Sequence, residues 1–181
     1  MLNVMPAERQ AMSGLVSAKL VLDLLCYMAA PFLLFYAVKS YLSGFEFYAA
    51  SLMTFAVLIT SSFVIYKFFG HWKLHRNFLV SLFTVFYFYL LITGGESGSG
   101  IFWLYAYPLL MFSVLGMNPG KLIMAAIISA TACILFIPGF TGPEPIYSMN
   151  TKLRFFGSMC FVSMMAFIME RARVSAAIAH H

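Results

Sequence analysis

His71 and His75 are the residues of this chain best suited to hold a metal or a prosthetic group, because imidazole is the commonest metal ligand and a frequent axial ligand of haem. At positions i and i+4 of a helix they would project from one face, about 5–6 Å apart. That spacing cannot clamp the two faces of one porphyrin. Haem b would use one of them as proximal ligand, with the sixth position free or taken by Met or Tyr, or the two would serve separate haems or separate protomers. Zinc fits less well, since no Cys, Asp or Glu stands nearby to complete a tetrahedron. The plainer alternative is a pair of interfacial histidines beside Trp72, in a hinge at 67–76 whose cations, Phe68, Phe69 and Trp72 suit an anchor on anionic lipid. His180 and His181 read as the start of a purification tag and are set aside.

Asp23, a carboxylate inside an apolar run, follows Lys19 at helical spacing, which lets the two side chains pair at the membrane interface in a structural role. Cys26, Cys133 and Cys160 fall inside apolar runs as small hydrophobes, without CxxC or Cys/His spacing, so neither a disulfide nor a zinc site is expected.

A second kind of chemistry, capture of a small hydrophobic ligand, is offered by the aromatic residues of 78–117. Tyr87, Trp103, Tyr105 and Tyr107 could wall a pocket between the third and fourth helices. Gly94 and Gly95 would give the backbone room to bend, and Pro108 would open the hydrogen-bond ladder of the fourth helix. The same residues could instead form an aromatic belt that only anchors the bundle.

The elements that must position these groups are membrane helices. With 62% hydrophobic and only 9% charged residues, the chain is far more apolar than a soluble domain, in which about 25% of residues are charged. Apolar runs at 20–38, 47–69, 78–93, 101–117, 122–137 and 155–169 predict an all-α polytopic membrane protein with six transmembrane helices. Several are short and need flanking polar residues at their ends. Pro31 is expected to kink the first. The net charge of +5 does not indicate a nucleic-acid partner, because eight of the eleven Lys and Arg residues lie in alternate hinges and at both termini. That distribution places both termini in the cytoplasm and turns the hinges around Glu46, Glu96 and 143–145 outward.

The organisation expected is a cytoplasmic or interfacial segment at 1–19, a six-helix membrane domain at 20–169, the start of a cytoplasmic signalling helix at 170–179, and a tag remnant at 180–181. The last helix leaves the membrane at Glu170, Arg171 and Arg173 and continues in good helix formers. Mid-membrane positions offer no charged group for an ion path and no convincing repeat, although a small transporter or channel stays open as an alternative.

The string from Thr93-Gly94-Gly95 through Trp103, Pro108 and Gly116-Met117-Asn118-Pro119-Gly120, with Arg154-Phe155 and Glu170-Arg171-Ala172-Arg173, resembles the multi-helix N-terminal membrane regions of bacterial diguanylate cyclases and related sensor kinases. The resemblance covers roughly residues 78–173. It implies a sensory input domain in the bacterial inner membrane, joined in cis through its last helix to a cytoplasmic GGDEF domain that makes cyclic di-GMP. No GGDEF, kinase or phosphodiesterase motif stands in this sequence. The chain itself is therefore expected not to be an enzyme. Because such a cyclase joins two GTP-loaded domains, the resemblance also implies a homodimer or higher even oligomer, with Ser61, Gly157 and Ser158 as small outward residues permitting close approach.

Overall fold

The computed structural model describes residues 6–137 and 146–179, all helix and short turns. The elements are α1 (Pro6–Leu42), α2 (Glu46–Phe69), α3 (Trp72–Thr93), a 3₁₀ helix (Glu96–Tyr105), α4 (Ala106–Leu115), α5 (Met117–Phe136) and α6 (Met149–Ala179). Among the described residues six helical stretches are long and apolar enough to cross a membrane. Leu20, Phe35, Leu42, Phe47, Phe68 and other large apolar side chains stand on the outer surface, where hydrocarbon rather than water is the favourable neighbour. The chain is an all-α, multi-pass membrane protein. The hinge at 138–145, residues 1–5 and the pair at 180–181 lie outside the described residues.

Three boundaries differ from the sequence expectation for one reason: helices continue until something stops them. α1 runs unbroken across position 19 and through Pro31 as one 37-residue helix. α3 begins at Trp72 rather than at 78, because only Gly70, with φ of 70°, closes the preceding helix. α6 begins at Met149 rather than 155, started by Ser148, whose Oγ accepts the Thr151 N–H at 3.2 Å. The fourth span shows the reverse. Its first part, Gly98 to Tyr105, is 3₁₀ rather than α. Pro108 therefore sits in the first turn of α4, where a missing N–H costs little, and it does not break a ladder.

Side chains pack in two neighbouring cores. One joins α1, α2 and α3 through Leu22, Leu52, Ile59 and Leu79; the other joins α3 to α6 through Tyr87, Leu91, Met111 and Met159. Buried hydroxyl bonds reinforce the second. Thr131 Oγ1 donates to the Ile127 carbonyl, so the Tyr87 hydroxyl is the donor in its 2.9 Å bond to Thr131. By the same reasoning Tyr107 donates to Thr84, 2.8 Å away, because Thr84 gives its proton to Val80. α3 is thus bonded to both α4 and α5. In hydrocarbon, where helix association has little hydrophobic drive, such bonds contribute about 0.6 kcal/mol on average.

Tyr147, in the connection before α6, is buried and donates to the Leu90 carbonyl at 3.3 Å. Burial pushes its phenol up to about 12 from an ordinary value of 10.0. The folded protein holds this proton more tightly than the unfolded chain, so the stabilisation is complete below pH 10 and is lost as pH rises through 12. The melting temperature of detergent-solubilised protein should fall across that window, and less steeply in Tyr147→Phe.

Candidate functional site

A cavity of about 160 Å³ lies between α1, α2, α3 and the 3₁₀–α4 segment. Its walls are built at helical spacing. α1 contributes Leu25, Ala29, Phe32, Leu33 and Tyr36, one continuous face; α2 contributes Tyr48 and Leu52, and α3 contributes Phe83, Phe86, Tyr87 and Leu90. Trp103, Leu104 and Tyr107 close the fourth side. The Trp103 ring meets Phe32 edge-on at 4.7 Å and Tyr36 at 5.3 Å. Phe32 and Trp103 are 41% and 43% exposed, so this ring pair separates the cavity from the lipid-facing surface. Polar groups are few: the Tyr87 and Tyr107 hydroxyls are already bonded, and the walls carry no charge.

At the end of the bundle that carries the α1–α2 turn, Lys39 in the last turn of α1 reaches Glu96, with Nζ 3.1 Å from both carboxylate oxygens. Ser40 Oγ donates to the same carboxylate at 3.3 Å. This pair ties the start of the 3₁₀ helix to α1 above the cavity. Gly94 and Gly95 make the preceding turn, both at positive φ. A Cβ at Gly95 would lie 3.0 Å from Gly100 Cα, and the Gly100 N–H binds the Gly94 carbonyl at 2.9 Å.

Of the expected pocket residues, Tyr87, Trp103 and Tyr107 converge on the cavity and four do not. Tyr105 turns away and pairs with Phe155 of α6 at 5.3 Å. Pro108 is buried in α4 outside the lining, and Gly94 is covered by Ile146 and Tyr147. Gly95 borders a separate shallow recess with Tyr48 and Tyr89. For Tyr105 the reason is the 3₁₀ winding, which changes which residues of the fourth span share a face. Sequence reasoning missed the whole α1 wall. Its signal was present in Leu25, Ala29, Phe32, Leu33 and Tyr36, spaced as one helical stripe, but nothing in sequence said which helix it would face.

The histidines do not share a face. His71 is the N-cap of α3 and exposed, whereas His75 is buried. His75 Nδ1 lies 2.9 Å from Ser62 Oγ, and its ring stacks on Tyr66 at 4.6 Å with 6° between planes. Neither described cavity is lined by a histidine, so a porphyrin at His75 would have to displace packed rings. Trp72 likewise is no lipid anchor: it is buried against α1 beneath Lys19, whose Nζ is 5.7 Å from the ring centre. Asp23 pairs with Lys67 of α2 at 2.7 Å rather than with Lys19. An interhelical partner wins because Lys67, arriving from the end of α2, lies beside the carboxylate on the packed face of α1.

At the end of α6, Glu170 is buried and bonds Arg173 at 2.8 Å, with Arg171 exposed. α6 packs on the 3₁₀ helix, α4 and α5. No family model, curated protein or solved structure matches this chain.

Proposed function

We propose that this chain is a membrane-embedded sensory input domain of the bacterial inner membrane, with both termini cytoplasmic, that binds a small apolar ligand between α1 and α4 and passes its state through α6 to a cytoplasmic diguanylate cyclase domain in cis. One observation carries the reading: the 3₁₀–α4 segment is both a cavity wall and a bearing surface for α6. Trp103 and Tyr107 face the cavity, while Tyr105 meets Phe155, and Phe112 meets Phe167 at 5.9 Å. A ligand that displaces the wall displaces the groove in which α6 lies. The cavity's size suits a single ring, being close to the apolar cavities of about 150 Å³ that stay dry and take benzene or xenon.

The chain is read as an input domain without catalysis of its own. Pairing of two copies would bring the two output domains together, and Ser61, Gly157 and Ser158 are exposed, with open space around Gly157. Light scattering in mild detergent should give a dimer or higher even oligomer; monomer alone at high concentration would remove this element.

The test joins a GGDEF domain after Ala179 and measures cyclic di-GMP. Ala29→Phe, which places a ring inside the cavity, should shift output at least about threefold at equal membrane insertion, the response to a bias of about 0.7 kcal/mol. Equal output from wild type, Ala29→Phe and Trp103→Ala would overturn the reading.

A further inference from the structure

Among the described residues, three buried side-chain polar atoms hydrogen-bond no protein group: Asp23 Oδ1, Trp72 Nε1 and His75 Nε2. All three lie at the end of the bundle opposite Glu96: the Trp72 and His75 rings are 6.4 Å apart, and Asp23 is reached by Lys67, the neighbour of the Tyr66 that packs on His75. Lys19 and Asp23 stand one turn apart on α1, as Trp72 and His75 do on α3, and as first and third spans these helices run in the same direction. Lys19 Nζ lies 5.7 Å over the Trp72 ring, which puts Asp23, a turn further on, level with His75. From α2, Lys67 holds Asp23 Oδ2 at 2.7 Å while its neighbour Tyr66 stacks flat on His75. Side chains of three helices therefore meet in this region, each of the three atoms is buried, and His75 is only 3% exposed.

The chemistry of the atoms defines what fits. Trp72 Nε1 only donates, and the Asp23 carboxylate oxygen accepts. His75 has Nδ1 engaged with Ser62, so Nε2 donates or accepts according to the tautomer. The occupant must accept one hydrogen bond and donate one, and the His75 tautomer sets which it does with the third. Water serves either tautomer, and a single hydroxyl serves the one in which His75 Nε2 carries the proton. An anion would be repelled by Asp23, and a cation would meet the indole N–H and the Lys67 ammonium. A metal lacks ligands, since no group of three His, Cys, Asp or Glu residues is assembled among the described residues. Left bare, each atom would carry its full desolvation cost in a water-poor interior.

We propose that Asp23, Trp72 and His75 form a second site, polar and separate from the apolar cavity, that takes one neutral hydroxyl-bearing molecule: water, or the glycerol hydroxyl of a lipid. The site joins α1, α2 and α3 through a single exchangeable molecule, and it stands whether or not the cavity senses anything.

The chain contains two tryptophans, so ¹⁵N-labelled protein in nanodiscs gives two indole N–H signals, assigned by Trp103→Phe. The Trp72 signal should show a through-space cross-peak to water in fully deuterated lipid, or one to glycerol protons that appears only in protonated lipid. These two results identify the source. His75→Phe, which fills the position with apolar surface, should abolish the cross-peak while leaving the Trp103 signal in place. A Trp72 indole proton without contact to water or lipid in either preparation overturns the proposal, as does a cross-peak unchanged in His75→Phe. Should that variant fail to fold, the wild-type cross-peak decides by its presence or absence.

Discussion

Gly95→Ala should all but abolish the folded protein, whereas Gly44→Ala should lower its stability only modestly. Both glycines have positive φ, 62° and 85°, so backbone freedom alone does not separate them. Space does. Nothing lies within 4 Å of a Cβ built on Gly44, while one on Gly95 would stand 3.0 Å from Gly100 Cα and 3.1 Å from the Tyr48 hydroxyl. Gly95 also has ψ of −149°, close to a region reserved for glycine. A left-handed alanine at 44 costs about 1–2 kcal/mol. At 95 the strain of about 1–3 kcal/mol comes with a backbone collision that only reopening of the turn relieves. Thermal unfolding followed by circular dichroism in detergent checks the pair; equal melting temperatures would show that the turn is softer than its geometry implies.

Trp103→Ala should weaken capture of an aromatic probe about tenfold or more while leaving the helices intact. The indole makes edge contacts with Phe32 and Tyr36, each worth about 0.5–1.5 kcal/mol. Its loss opens the cavity to lipid on the side where Phe32 and Trp103 now narrow it. Because the ring is already 43% exposed, its removal leaves no sealed void in either core. Photolabelling with benzophenone in vesicles, read by mass spectrometry of the α3 and α4 peptides, should drop accordingly. An unchanged labelling yield would show that Trp103 takes no part in capture, and a variant that fails to fold would make it a structural anchor instead.

The six spans were legible because an apolar run long enough to cross a bilayer is favourable in hydrocarbon and costly in water, whatever its neighbours are. What could not be read was pairing between helices. Asp23 and Lys19 satisfy the local spacing rule, yet the carboxylate bonds Lys67, distant in sequence but adjacent after packing. His71 and His75 are likewise four apart, and the spacing rule fails because Gly70 ends α2 so late that His71 falls outside α3. For the site, Tyr87, Trp103 and Tyr107 were legible as aromatic density, whereas Phe32 and Tyr36 join them only through the packing of α1 on α4, which no local pattern encodes. Local winding was the second hidden variable. Tyr105 carries the same chemistry as Tyr107 and was lost to the pocket because a 3₁₀ turn points it at α6.

That winding also sets how the fourth span meets the bilayer. Its 18 residues, wound uniformly as α-helix, would reach about 27 Å, short of a hydrocarbon core of about 30 Å. With Gly98 to Tyr105 rising about 2.0 Å per residue, the same span reaches about 31 Å. The span with the fewest residues among those described thus has the length of a hydrocarbon core. A thinner membrane would favour rewinding of those residues as α, which turns each one about 20° relative to the next and swings Trp103 around the helix axis away from Phe32. Bilayer thickness and the shape of the cavity mouth are, through this one segment, mechanically the same coordinate.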